Sequence, residues 1–145
     1  TEIKKSKNFR SGTNCLRQLT FGYLDMAWFG QHNHVDNVEE FEKKAIEKTM
    51  LREQDTPGAS ISTMFAHIFA GGYSAGYYSY KWAEVLDADA FEKFQEDGIF
   101  NKETAKSFRD NILSQGNINH PLTLYKHFRG REPKVEALLK REGML

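Results

Sequence analysis

Met64-Phe65-Ala66-His67-Ile68-Phe69-Ala70-Gly71-Gly72-Tyr73-Ser74-Ala75-Gly76-Tyr77-Tyr78-Ser79-Tyr80-Lys81-Trp82 is the stretch from which the rest of the chain is read. One histidine, three glycines and four tyrosines fall within it. Gly71-Gly72 permits backbone angles closed to other residues and lets a partner approach the main chain closely. If a helix opens at Tyr73, then Tyr73, Tyr77 and Tyr80 share one face at i, i+4 and i+7. Tyr73 and Tyr80 then lie about 10 Å apart along the axis. Tyr78 and Trp82 form an adjacent stripe, and His67 stands across the glycine loop. A histidine and two phenols can therefore face one groove.

Packing is the ordinary explanation for such a pattern. Aromatics at helical spacing usually form core, and a histidine among apolar neighbours is usually a satisfied core residue. The glycine pair argues the other way, because glycines beside a polar-tipped aromatic ladder cost helix stability. Tyr77, Tyr78 and Trp82 are assigned to packing, since the helix needs a buried side.

His67-Ile-Phe-Ala-Gly-Gly-Tyr73 followed by Ala-Gly-Tyr-Tyr-Ser-Tyr80-Lys-Trp82 resembles the C-terminal part of the thimet oligopeptidase family of zinc metallopeptidases, which includes oligopeptidases and peptidyl-dipeptidases. The resemblance extends through Asn111-Ile-Leu-Ser-Gln-Gly116 and Leu124-Tyr-Lys-His-Phe-Arg-Gly-Arg-Glu-Pro133, and so over most of the chain. It implies that His67, Gly71, Gly72 and Tyr73 bind substrate, and that Tyr73 and Tyr80 stabilise the transition state. Tyr80 is the expected oxyanion donor. The Gly71-Gly72 pair is the expected hinge that lets Tyr73 swing in on peptide binding. In one respect the chain departs from the family: His-Glu-X-X-His does not occur, since no histidine is followed by glutamate. The expectation is a C-terminal fragment of a larger, mostly helical zinc peptidase. It carries one wall of the active site, with no metal ligand of its own and the zinc ligands elsewhere in the parent polypeptide.

Composition fits a protein domain of ordinary size. With 145 residues, 28% charged and a formal net charge of zero, nothing points to nucleic acid or an anionic membrane. No apolar run approaches the roughly 20 residues that span a bilayer. A single cysteine, Cys15, excludes an internal disulfide and suits a reducing compartment, so a cytoplasmic location is expected.

Along the chain, residues 1–10 read as an irregular lead-in. Ser11 or Thr13 is expected to cap a helix to about His32, buried along Leu16, Leu19, Tyr23, Met26 and Ala27. His32 and His34 could hold a metal only with further ligands, and none is evident nearby. Asn37 caps a second helix, from Val38 to about Leu51, whose Glu42, Lys43, Lys44 and Glu47 read as a solvated face. Pro57-Gly58 marks a turn. Ser60 or Ser62 opens a short helix to Phe69. The tyrosine helix then runs from Tyr73 to about Gln95, with Asp87 and Asp89 on its exposed face. Asn101 caps the next helix, which Gly116 ends; short helices follow from Leu122 to Phe128 and after Pro133. The fold expected is all-α, five to seven helices in a single domain over residues 1–145.

Two functions stay open. One is part of a zinc peptidase acting on short peptides, with internal cleavage and release of C-terminal dipeptides undecided. Clamping a terminal carboxylate needs a cation, for which Arg52, Arg129 and Arg131 are candidates. The other is a non-catalytic helical module whose aromatic groove binds a peptide or a partner protein.

Overall fold

The structure, a computed structural model, describes residues 1–30, 34–51 and 56–145, so His32 and Arg52 lie outside the described residues. Among the described residues every regular element is helical, as the sequence patterning predicts. They form two compact units, Thr1–Lys81 and Trp82–Leu145.

The first unit begins with α1 (Glu2–Asn8), where the sequence suggested irregular chain. None of its residues is buried, and a 3.0 Å Lys5–Glu2 ion pair one turn apart supports it. Arg10, at φ +62°, turns the chain into α2 (Ser11–Phe29), so Ser11 is the first helical residue and not a side-chain cap. The buried face of α2 is displaced from the predicted stripe. Leu19, Tyr23 and Met26 are more than a third exposed, while Thr20, Leu24 and Asp25 are buried. Apolar residues surround this helix, so periodicity did not single out one face.

Asn37 caps α3 (Val38–Ile46) by accepting the Glu39 and Glu40 N–H groups at 3.0 and 3.2 Å. α3 stops five residues earlier than predicted. The Thr49 hydroxyl turns back onto the Ile46 carbonyl and takes a 2.8 Å bond from Thr20 on α2. Glu42 does not lie on a solvated face; it is buried. Ser62–Met64 forms a single 3₁₀ turn and α4 (Ala66–Phe69) follows. Leu24, Ile46, Phe65 and Ile68 make the core of this unit, ringed by Phe21, Trp28, Ile61 and Tyr77. Burying Leu24 and Ile68 completely contributes about 1.5–3 kcal/mol each.

The tyrosine helix does not start at Tyr73. The chain bends at residues 71–72 and runs through turns over 74–78, and α5 (Ser79–Asp97) begins six residues after Tyr73. In the second unit α5 is joined by α6 (Lys102–Phe108), which Asn101 caps through the Glu103 and Thr104 N–H groups. A π turn, Arg109–Leu113, continues α6. α7 (Pro121–Arg129) carries Pro121 in its first turn and His120 as cap, its Nδ1 accepting the Leu122 N–H. α8 (Glu136–Arg141) closes the chain. Ala90, Tyr125 and Phe128 form one core cluster with Phe94, Phe108 and Ile112 against it. Val85, Ala88, Ala137 and Leu138 form another. Asp89, expected on the exposed face, is fully buried.

Candidate functional site

The sequence-predicted site residues all lie in the first unit, at the mouth of a folded loop. α4 ends at Phe69, and the Ala70 and Gly71 N–H groups both donate to Ala66 O, at 2.8 and 2.9 Å. Tyr73 N–H then donates to His67 O at 3.2 Å. This tight return brings Gly71 onto the His67 backbone. A Cβ at Gly71 would stand 2.8 Å from His67 O and 2.9 Å from His67 Cα. Gly72 has open space around it but takes φ +78°. The two glycines are thus required for different reasons, close approach at 71 and left-handed backbone at 72.

Three successive turns follow. Gly76 N–H donates to Tyr73 O, Ser79 N–H to Gly76 O, and Tyr80 N–H to Tyr77 O. They fold the tyrosines back on one another. The Tyr73 and Tyr80 rings stack with centroids 5.3 Å apart and planes 27° apart. Tyr77 lies 5.1 Å from Tyr80, and His67 lies 6.2 Å from Tyr73 and 6.3 Å from Tyr77. The predicted grouping of His67, Tyr73 and Tyr80 therefore forms. It arises from a loop and not from a helix face, and it is tighter than a helix would make it.

Tyr73 and Tyr80 remain 37% and 41% exposed, so both phenols are open to a ligand. A hydrogen bond with Tyr73 is the largest cause holding the Tyr80 phenol above its ordinary pKa of 10.0. Tyr80 is accordingly protonated at neutral pH and able to donate. Tyr77 is a packing residue, as expected. Its ring meets Phe65 and Phe21 edge-on, at 5.1 and 5.7 Å. Burial raises its pKa, with Arg17 opposing. Tyr78 and Trp82, also assigned to packing, are 58% and 49% exposed.

Two buried carboxylates fix the loops around this cluster, and the sequence reading singled out neither as functional. Asp25 accepts the Ala75 and Tyr77 N–H groups at 2.8 and 2.9 Å. Glu42 accepts four donors: Ser60 Oγ, Ile61 N–H, and both the N–H and Oγ of Ser62, all within 2.7–2.9 Å. Burial pushes the Glu42 carboxyl up, but the bonds from Ser62, Ile61 and Ser60 outweigh it and hold the group below its ordinary value. Trp28 Nε1 also donates to Ser62 Oγ, at 3.0 Å.

The profile of peptidase family M3 matches residues 1–144. The chain belongs to this peptidase family. It is 45% identical to oligopeptidase A of Haemophilus influenzae over 150 residues, covering 100% of this chain and 21% of that protein. It is 41% identical to the probable cytosolic oligopeptidase A of Arabidopsis thaliana over 150 residues, covering 99% and 21%. It is 37% identical to the dipeptidyl carboxypeptidase of Salmonella typhimurium over 144 residues, covering 98% and 21%. The chain thus spans about a fifth of the length of these curated relatives.

Among the described residues, no three His, Cys, Asp or Glu side chains converge as a metal ion would require. His34 pairs with Asp36 at 3.1 Å on an exposed surface. The described residues therefore do not fit the zinc that the family resemblance implies. Arg129 and Arg131, candidates for gripping a peptide carboxylate, are engaged within the second unit by Asp89 and Glu92, and Arg129 also by Glu96. Among the described residues, no helix is long and apolar enough to cross a membrane.

Proposed function

We propose that this chain is part of the catalytic domain of a longer, cytoplasmic, zinc-dependent peptidase that hydrolyses short peptides. It supplies the substrate-binding and oxyanion-stabilising wall. Residues outside this chain, in the remainder of the parent polypeptide, hold the zinc. Membership of peptidase family M3 supports the hydrolase, and relatives named oligopeptidase A and dipeptidyl carboxypeptidase support a peptide substrate.

The observation that carries the assignment of roles is the stacked, half-exposed Tyr73–Tyr80 pair beside His67. Attack on a peptide carbonyl creates an oxyanion. A donor placed where that charge develops is worth about 3 kcal/mol. A phenol held protonated on a rigid ring can be such a donor, and Tyr80 has this character. Tyr73 and His67 hold the substrate backbone, with Tyr73 sharing the stabilisation. Gly72, with open space about it, leaves the main chain accessible to the peptide, Gly71 lets the loop pack onto His67, and closure of the loop about the pair brings Tyr73 to the substrate.

The test is kinetic, in the full-length parent. Tyr80→Phe should lower kcat by about 100-fold while KM moves little, because the lost bond exists only in the transition state. An unchanged kcat would remove Tyr80 from the chemistry. Peptides blocked at both termini separate internal cleavage from release of C-terminal dipeptides.

A further inference from the structure

We infer that Asp25 is the positioning residue of the tyrosine loop: from α2, its buried carboxylate sets the backbone at Ala75 and Tyr77 and, through it, the stacking of Tyr73 on Tyr80. The effect on catalysis rests on the peptidase reading above; the effect on loop geometry does not.

Asp25 is fully buried, and each of its oxygens accepts one backbone N–H, from Ala75 and from Tyr77. Removing a carboxylate from water is costly unless donors replace the water. Here the donors come from a segment fifty residues away, so the burial of the charge and the shape of the loop depend on each other. Ala75 sits between its flanking contacts at φ +54°, a left-handed conformation that a residue with a Cβ avoids. Such a backbone persists only where its surroundings over-determine it. The two bonds to Asp25 do so.

The same face of α2 holds Tyr77 at three places. Gln18, Phe21 and Asp25 recur at spacings of three and four, and so lie along one side of the helix. Gln18 Oε1 accepts from the Tyr77 phenol at 3.3 Å. Phe21 meets the ring edge-on. Asp25 takes the backbone N–H. Tyr77 is therefore fixed from hydroxyl to main chain, and the turn joining Tyr77 O to Tyr80 N–H passes that placement to Tyr80. A loop in which Ala75 must be left-handed would not otherwise choose this arrangement over the helix that its sequence also allows.

Asp25→Asn and Asp25→Ala in the full-length parent test this, each with and without Ala75→Gly. An amide can accept one of the two N–H groups but presents its own N–H to the other. Asp25→Asn should lower kcat by about 30-fold with KM within about threefold, as expected when a catalytic group is misplaced by less than an ångström or so. Ala75→Gly should restore about fivefold of that loss, because glycine adopts the left-handed backbone freely. A purely structural residue would lower the melting temperature and leave kcat per folded molecule unchanged, and that result overturns the proposal. An activity-free readout separates this from failure of the peptidase reading. The alkaline absorbance titration assigned to Tyr80, by difference from Tyr80→Phe, should move down toward an ordinary phenol in Asp25→Asn. If the Asp25 variants do not fold, amide hydrogen exchange in the unmodified protein decides. The Ala75 and Tyr77 amides should be as protected as those of α2, and exchange at free-loop rates overturns the proposal.

Discussion

The Tyr73 ring stacks on that of Tyr80 at 5.3 Å between centroids, seven residues along the chain and without a helix between them. Because a hydrogen bond between the two phenols raises the Tyr80 pKa, the pair is electrically as well as sterically linked. Tyr73→Phe removes that bond. The Tyr80 phenol should then titrate lower, toward the ordinary value of 10.0. Absorbance difference titration against a Tyr73→Phe/Tyr80→Phe double variant measures it, and an unmoved midpoint would show that the phenols do not interact.

The glycine pair should respond unequally to alanine. At position 71 the new Cβ meets a backbone carbonyl and Cα below 3.0 Å, and neither can step aside without unwinding the end of α4. A loss of about 3 kcal/mol or more is expected there. At position 72 nothing obstructs the Cβ, and only the left-handed backbone is penalised, by about 1–2 kcal/mol. Denaturant midpoints of the two variants give the comparison. Equal losses, or the reverse order, would contradict the geometry.

Glu42 makes the first unit sensitive to acid in a defined direction. Its folded-state pKa lies below the ordinary 4.5, so as pH falls the unfolded chain takes up the proton first. The stability it contributes is therefore fully present above about pH 4.5 and is lost as pH falls through the lower folded value. Glu42→Gln should cost about 1–3 kcal/mol at neutral pH, because an amide cannot accept all four donors. It should also flatten that part of the acid-denaturation curve. A variant with an unchanged acid limb would assign the sensitivity to another group.

Much of this was legible in the sequence, and what was not has a common cause. Asn37 and Asn101 announced their helices because capping is local. Gly71 and Gly72 announced a special backbone for the same reason. The resemblance assigned roles to His67, Tyr73 and Tyr80, while their grouping followed, by accident, from helical spacing. The helix that would have produced it is absent because Asp25 captures the N–H groups of Ala75 and Tyr77. Asp25 carried one unread signal: it is the sole Asp, Glu, Lys or Arg between Arg17 and Asp36, within an apolar helix. Glu42 carried none, since it stands in a Glu-Lys run identical in character to a solvated face. Both reach partners far along the chain, and no window of neighbouring residues contains that information.

Asp89 is a third buried carboxylate, in the second unit, and its partners bear on specificity. It accepts from Tyr125 Oη at 2.6 Å and from Arg131 Nη1 and Nη2 at 3.0 and 2.7 Å. Burial, with the bond to Asp89, pushes the Tyr125 phenol far above its ordinary pKa. Asp89→Asn leaves buried Arg129 and half-buried Arg131 without this charge and should cost about 3–5 kcal/mol. Tyr125→Phe should cost about 1–2 kcal/mol, and the double variant less than the sum, because both lose the same bond. Arg131 is anchored by this network, so its replacement should act on stability and not on recognition of a peptide's end. In the full-length parent, Arg131→Met should lower the melting temperature while leaving the ratio of kcat/KM for free-carboxylate and amidated peptides within about twofold of the parent. A collapse of that ratio would instead place the Arg131 guanidinium on the substrate carboxylate, and would require the Asp89 bonds to open when peptide binds.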